Sequence, residues 1–397
     1  MSLPLAGIRV LDVSNVLAGP FCGYQLAMLG AEVIKIEPPG RGDLARQLGA
    51  DPKASARFMG TSFIAANSGK QSMTVNLKDS RGKEIFRRMA AGADVVLENF
   101  RPGVMDRLEL GYEVLSRINP KLIYCAISGF GADSPLAHRP AYDQIIQGFS
   151  GVMSVTGDKD SAPLRAGFPV CDTIGGLTAT FAICAALVET RTGGRGRFID
   201  VSMVDSTLAA MGWVVSNYLN AGVTPVPMGN QNFTAAPSGT FRTKAGLLNI
   251  SANETKQYRT LCGLLGRPDL IDDPRFSERQ ARKQNRAALN VEVESALAAK
   301  TAAEWEVILS EKGVPTGLVL SVPEVLAHPH TVARRFLTEF EKDGRVQHVT
   351  RPGFRLSGDE AGSRSPAPAL SEHTDAWLGN LGFGADEIAT LHKDGVV

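Results

Sequence analysis

Asp172 is the residue whose surroundings most invite chemistry. It stands just before residues 174–188, a run that is almost wholly apolar or small, at the position where a helix N-cap belongs. A helix with no polar face is expected to be buried on all sides. The run is short for a membrane span and suits a core helix better. Thr190, Arg191, Gly193 and Gly194 supply a cationic last turn and a glycine exit. The pattern therefore predicts a carboxylate held at the positive end of a rigid helix. Such a group serves either as a cap or as a nucleophile, and the local residues alone allow both.

Other chemistries are poorly supported. Of the six histidines, only His328 and His330 are close-set, and Pro329 between them fits a helix-entry loop better than a metal site. There is no G-x-S-x-G elbow, and Ser150 follows a predicted helix rather than a strand. Arg41, Arg46, Lys70, Arg107 and Arg139 each follow a strand or open a loop. They are either solvated surface or cations for a phosphate-rich ligand.

The bulk numbers narrow the class. The chain has 397 residues, enough for two or three units and a large core. Lys plus Arg number 42 against 41 Asp plus Glu, for a formal net charge of +1. No global attraction to nucleic acid or an anionic membrane follows, so an anion must be held by local clusters. The N-terminus lacks a secretory pattern, and no apolar run is read as reaching membrane-spanning length. Five scattered cysteines read as reduced thiols, and a cytoplasmic location is expected.

The elements that must position these residues alternate. Residues 8–13, 32–36, 72–77, 93–97 and 122–127 read as strands, several without a polar face, separated by helical stretches. This predicts an α/β domain with a mostly parallel, Rossmann-like sheet that binds ligands at loops after its strands. The glycine fingerprint of a dinucleotide site is missing, since residues 18–23 keep only two glycines at the wrong spacing. Asp205 and Ser206 are read as capping one long helix to about Ala221. Composition then shifts to a proline- and glycine-bearing linker over residues 223–243, followed by a smaller α+β domain with charged helical faces. The expected division is 1–222 for the large domain, 223–329 for linker and small domain, and 330–397 for a return segment completing the large one.

The pattern as a whole resembles the class III coenzyme A-transferases, the formyl-CoA transferase and carnitine dehydratase-like (CaiB/BaiF) group. Matching stretches run nearly end to end: residues 10–12, 17–20 and 29–37, then Asn67-Ser68-Gly69-Lys70-Gln71-Ser72, Glu98-Asn99-Phe100-Arg101-Pro102-Gly103, residues 194–203, Glu372-His373-Thr374 and the last three residues. The resemblance implies that Asp172 is the catalytic carboxylate. It implies that coenzyme A, a substrate rather than a bound cofactor, is held by the backbone at Val16, Leu17 and Ala18, with Lys70, Asn99, Phe100, Arg107 and Arg139. It also implies an interlocked homodimer, two chains threaded through one another, with acyl-CoA and a small carboxylic acid as partners.

On that footing Asp172 would attack an acyl thioester and form a mixed anhydride. Gly175 and Gly176 would let a bulky thioester approach and offer amides to the oxyanion. A distal carboxylate on a dicarboxylic substrate would want an arginine, for which Arg46, Arg139 and Arg165 are candidates. The oxalate enzymes of the group carry a glycine run in the linker, whereas this chain has Met228-Gly229-Asn230-Gln231-Asn232-Phe233, which favours acids such as succinate or glutarate. The α-methylacyl-CoA racemases resemble the same fold but carry a Gly-His-Asp motif where this chain has Ala141-Tyr142-Asp143, so Tyr142 counts among the substrate-facing residues. Racemisation and non-catalytic coenzyme A binding stay open as alternatives.

Overall fold

The structure is a computed structural model that describes residues 3–358 and 360–397. Six parallel strands form the main sheet: β1 (Arg9–Asp12), β2 (Glu32–Glu37), β3 (Gln71–Thr74), β4 (Val95–Glu98), β5 (Ile123–Ser128) and β6 (Phe198–Ser202). Their spatial order is β3-β2-β1-β4-β5-β6. The order reverses between β1 and β4, and a crevice opens beyond the carboxyl ends of those two strands. Residues on alternate strand positions feed two separate cores, because successive side chains point to opposite faces. On one face Val10, Val33, Leu97, Cys125 and Ile127 pack against the helices Ala18–Met28 and Val170–Arg191. On the other, Leu11, Ile34, Val96 and Tyr124 pack against Ile85, Phe86, Leu115 and the C-terminal Trp377 and Leu391.

The chain divides into two compact units: residues 1–152, 165–223 and 332–397 form one, and residues 153–164 with 224–331 form the other. Residues 153–164, which composition places in the large domain, group with the second unit, where the Gly229 amide donates to the Gly157 carbonyl at 2.7 Å. The second unit has its own core around Phe241, Leu248, Tyr258 and Trp305. Its sheet is antiparallel: β7 (Ser238–Arg242), β8 (Leu247–Ser251) and β9 (Thr316–Leu318).

Two expectations about helices need correction. The stretch after Ser202 is two helices, Met203–Ala210 and Gly212–Ala221, and Ser202 rather than Asp205 caps the first by accepting the Asp205 amide at 3.1 Å. The helix Val170–Arg191 is long and apolar enough, by length and composition alone, to cross a membrane. Cys171, Gly175, Gly176, Ala179, Ile183, Ala186 and Leu187 bury one face of it. The opposite face is exposed in the single chain, with Phe181 76% and Val188 67% accessible. Burial on all sides does not hold within one chain, because the large unit supplies a packing layer on one side only.

The ends of β1 and β2 carry a buried set of charges. Lys70 pairs with Asp12 at 2.8 Å, Lys35 with Asp43 at 2.9 Å and Arg46 with Glu37 at 2.6 Å, all with side chains at most 1% exposed. Lys70 also donates to the Pro20 carbonyl and Asn67 Oδ1, and Arg46 to the carbonyls of Phe58 and Pro368. Burial pushes the Asp12 carboxyl up, but Lys70 and Lys35 outweigh it and hold the group below the ordinary carboxylate range. The hairpin β10 (Leu337–Lys342) and β11 (Arg345–Thr350) leads into a C-terminal segment that runs beside β3. There the Gly69 amide donates to Ser365 O, Ser72 N to His373 Nδ1 and Thr74 N to Thr374 Oγ1 at 2.9, 3.2 and 3.0 Å. This segment covers the edge of the sheet.

Removing one partner of a buried pair leaves an uncompensated charge. Lys70→Met is expected to lower unfolding stability by roughly 3–5 kcal/mol, read from the urea midpoint, and Asp12→Leu combined with it recovers part of the loss. A change below about 1 kcal/mol in the single variant would contradict the structural assignment of Lys70.

Candidate functional site

The loop after β1 is the first wall of the crevice. Asn15 donates its amide to Asn99 Oδ1 at 2.7 Å, and Asn99 Nδ2 returns a bond to the Asn15 carbonyl at 2.8 Å. This reciprocal clasp ties the loops after β1 and β4 together across the switch point. The next residue, Val16, has φ +66°, a conformation that a β-branched side chain adopts at a cost of about 1–3 kcal/mol. Asp43, itself fixed by Lys35, holds it there by accepting the Val16 amide at 3.0 Å. The helix Ala18–Met28 begins two residues later, so its first free amides face the crevice region.

Asp172 enters from a different direction. The helix Val170–Arg191 starts before it, so Asp172 lies in the first turn and is not the N-cap. The capping carboxylate is Asp143, from the start of the helix Asp143–Phe149. It accepts the amides of Cys171 and Asp172 at 2.9 and 3.3 Å. Gln147 and Arg165 brace Asp143 at 2.6 and 3.5 Å, and Gln147 also takes the Ala166 amide at 2.8 Å. Freed from capping, the Asp172 carboxylate has no hydrogen-bond or ion-pair partner among the described residues. Burial, then the nearby Asp143 charge, pushes its pKa up to about 7. Its place in the first helical turn works in the opposite sense, favouring the anion.

Asp172 opens into a cavity of about 250 Å³ whose lining includes Val16, Leu17, Ala18, Asn99, Phe100, Arg139 and Tyr142. Arg101, Ser128 and Met203 are also among its walls. A larger cavity of about 640 Å³ shares Asn15, Val16, Phe100 and Tyr142 with the first. Its walls are apolar at Val13, Ile36, Pro38, Val75 and Leu108, and cationic at Arg41 and Lys78. The two cavities lie on either side of shared walls: the carboxylate lines one, the other is apolar and cation-flanked, and the strained loop at Val16 lines both.

Across residues 5–374 the sequence matches the profile of CoA-transferase family III. The chain belongs to that family. It is 41% identical over 371 residues to the acetyl-CoA:oxalate CoA-transferase of Acetobacter aceti, which covers 93% of each chain. It is 36% identical over 373 residues to the succinyl-CoA:glutarate CoA-transferase of Mus musculus, covering 94% of this chain and 85% of the mouse protein. Among solved structures, a CaiB/BaiF family protein from Brucella suis superposes with a TM-score of 0.83 at 35% identity, covering 96% of this chain and all of the other.

For a family III transferase, the expected site residues separate into two groups. Asp172, Val16, Leu17, Ala18, Asn99, Phe100, Arg139 and Tyr142 line one cavity. Lys70 and Arg46 do not reach it: both are sealed in the charge network beneath, with every donor turned to protein. Arg165 braces Asp143 instead of lining the cavity, and Arg107 is exposed on the short helix Val104–Arg107 beside the larger chamber. Gly175 and Gly176 are packing residues. A Cβ on Gly176 would lie 2.6 Å from the Ala18 carbonyl, and one on Gly175 3.1 Å from Met203. Their small size lets two helices cross closely and places no amide in the cavity. Lys78 carried no distinguishing signal in the sequence, since it looks like an ordinary polar residue at a helix start, and Asp143 entered only as the matching residue of a Gly-His-Asp motif, with no hint of its capping role.

Among the described residues, no three His, Cys, Asp or Glu side chains gather as metal ligands, and His328 Nδ1 accepts the His330 amide at 3.1 Å. A carboxyl whose pKa is raised in the folded state stabilises the fold at low pH and loses that contribution as pH rises through about 7. Asp172→Asn is therefore expected to melt above the parent at about pH 8, with the difference closing by about pH 5. Equal melting temperatures at both pH values would refute the raised pKa.

Proposed function

We propose that this protein moves coenzyme A from an acyl-CoA thioester to a free carboxylic acid, with Asp172 as the covalent nucleophile. The observation that carries the reading is an unpartnered carboxylate in a cavity that shares Asn15, Val16, Phe100 and Tyr142 with a cation-flanked chamber, in a family III chain. The acyl thioester lies in the smaller cavity. The pantetheine arm passes the 15–18 loop, and the nucleotide occupies the larger chamber with its phosphates near Arg41 and Lys78. Arginine and lysine are apt phosphate partners through charge-assisted hydrogen bonds.

The chemistry then follows from the groups present. Asp172 Oδ attacks the thioester carbonyl, the C–S bond breaks, and the coenzyme A thiolate leaves, giving an aspartyl mixed anhydride. The thiolate attacks the aspartyl carbonyl, forming an enzyme thioester and expelling the donor acid as its carboxylate. The acceptor carboxylate attacks that thioester, and the released thiolate takes the new acyl group and frees Asp172. No net proton or water is consumed, so the site needs exclusion of water more than an acid or base. Among the described residues no histidine lines the cavity of Asp172, which supports transfer over racemisation, a reaction that needs a second acid/base.

The acceptor is a short dicarboxylic acid, its distal carboxylate within reach of Arg139 or Arg101. The names of the two relatives, one an oxalate enzyme and the other a glutarate enzyme, support that class. The working unit is a homodimer, which the family resemblance describes as interlocked. Phe181, Val188, Trp213 and Leu219, all more than 65% exposed in the single chain, support burial of this face by a second copy.

Assaying succinyl-CoA against oxalate, glutarate, mesaconate and citramalate, with product acyl-CoA followed by mass spectrometry, tests the activity. Asp172→Asn should lose on the order of 10⁴-fold or more in kcat while binding coenzyme A within about threefold of the parent. Hydroxylamine added during turnover should convert Asp172 to a hydroxamate in the parent alone. Normal turnover by the variant would end the nucleophile assignment. Because the attacking species is the carboxylate, kcat/KM should rise with pH and level off above about 7.

A further inference from the structure

The turn after β4 is shared by both cavities: Asn99 clasps Asn15, and Phe100 lines each chamber. Its conformation is fixed from behind. Glu98, the last residue of β4, is only 6% exposed, and its Oε2 accepts the Phe100 amide at 2.6 Å. The Glu98 side chain lies on the face of the sheet away from the helix Val170–Arg191, in a cavity of about 220 Å³. Asp106, Glu113 and Asp200 line that cavity with it, and no lysine or arginine does. The Tyr124 hydroxyl, buried on the same wall, has no hydrogen-bond partner.

We propose that Glu98 is a positioning residue for coenzyme A, acting as a neutral carboxylic acid that anchors the Asn99–Phe100 turn through the Phe100 amide. The proposal rests on the reading that these cavities hold coenzyme A. A buried carboxylate without a cation is expensive, whereas a buried carboxylic acid that hydrogen-bonds is tolerated. Burial pushes Glu98 up to about 8, the Phe100 amide pulls against that, and Asp106 and Asp200 add to it. At neutral pH the group is therefore uncharged, and the absence of a cation around it is consistent with the acid form.

Ionisation changes the balance. The groups facing Glu98 are Asp106 from the helix Val104–Arg107, Glu113 from the helix Tyr112–Ile118, Tyr124 from β5 and Asp200 from β6, while the Cys125 thiol lies on the opposite face of the sheet. All are acidic or neutral, so an ionised Glu98 is repelled and drawn toward water, and the turn loses its anchor. The sign follows from the raised pKa: the contribution is complete below the ordinary carboxylate range and is lost as pH rises through about 8.

Calorimetric titration of coenzyme A into the parent, Glu98→Gln and Glu98→Ala at about pH 7 and about pH 9, with kcat measured in parallel, tests this. Glu98→Ala, which strands the Phe100 amide, should weaken binding roughly tenfold with kcat at saturation nearly unchanged. Glu98→Gln keeps an acceptor and cannot ionise, so it should bind like the parent at the lower pH and better than the parent at the higher. Parent-like binding by Glu98→Ala, or equal weakening by both variants, would overturn the assignment. A parent that binds no coenzyme A at either pH would instead refute the functional reading on which it rests.

Discussion

The large unit is organised around charges it has removed from water. Asp12, Lys35, Glu37, Asp43, Arg46 and Lys70 pair at the carboxyl ends of β1 and β2, the place where an open parallel sheet exposes its ligand site. Buried pairs of this kind are weak devices for stability, because the desolvation penalty offsets much of the attraction. Their value here is geometric. Each charge fixes a neighbour: Lys35 reaches the Ser14 carbonyl, Asp43 the Val16 amide, Lys70 the Pro20 carbonyl. The backbone from Ser14 to Pro20 is thus held by rigid polar anchors in a conformation that valine would not choose alone. Pre-organised backbone of this sort is what a ligand loop requires, since ordering it on binding would weaken affinity.

The proposed nucleophile would be supported by a similar substitution of roles. A capping aspartate spends its oxygens on amides, and an aspartate that attacks a thioester needs one free. Placing Asp143 under the first turn of the helix Val170–Arg191 meets the amides of Cys171 and Asp172 and leaves Asp172 unoccupied. The same carboxylate adds a negative charge nearby, which together with burial raises the Asp172 pKa. A more basic carboxylate is a better nucleophile once ionised, so the cap tunes the group it releases.

Much of this architecture was legible in the residues. The apolar strands with no polar face gave the parallel sheet and placed the ligand site at the loops after them, while the strand order that locates the crevice came from the structure. Asp172, the 16–18 loop, Asn99 and Phe100, which the family resemblance singles out, line one cavity. The misses share a cause. Lys70 and Arg46 look like surface cations until Asp12 and Glu37, on neighbouring strands, are seen to meet them. Asp143 looked like a helix start, and its acceptor role depends on a segment 28 residues away. Gly175 and Gly176 read as ligand-facing because a missing side chain gives no hint of what fills the space, here Met203 at Gly175 and the helix Ala18–Met28 at Gly176. Local pattern reports element type well and partner identity poorly, because partners are set by packing.

The C-terminal stretch beside β3 has a consequence for the order in which the protein can be made. Val396 and Val397 are buried, and the Val396 carbonyl accepts the Asn76 amide at 2.7 Å. The sheet edge is therefore closed by residues that leave the ribosome more than three hundred positions after the strand they protect. Until residues 365–397 have been made, β3 presents an uncovered edge and Trp377 and Leu391 are missing from the core that awaits them. A nascent chain of this kind accumulates an unfinished domain while the second unit, complete in itself between residues 153 and 331, is already able to close. Vectorial synthesis thus finishes the inserted part first and the frame last.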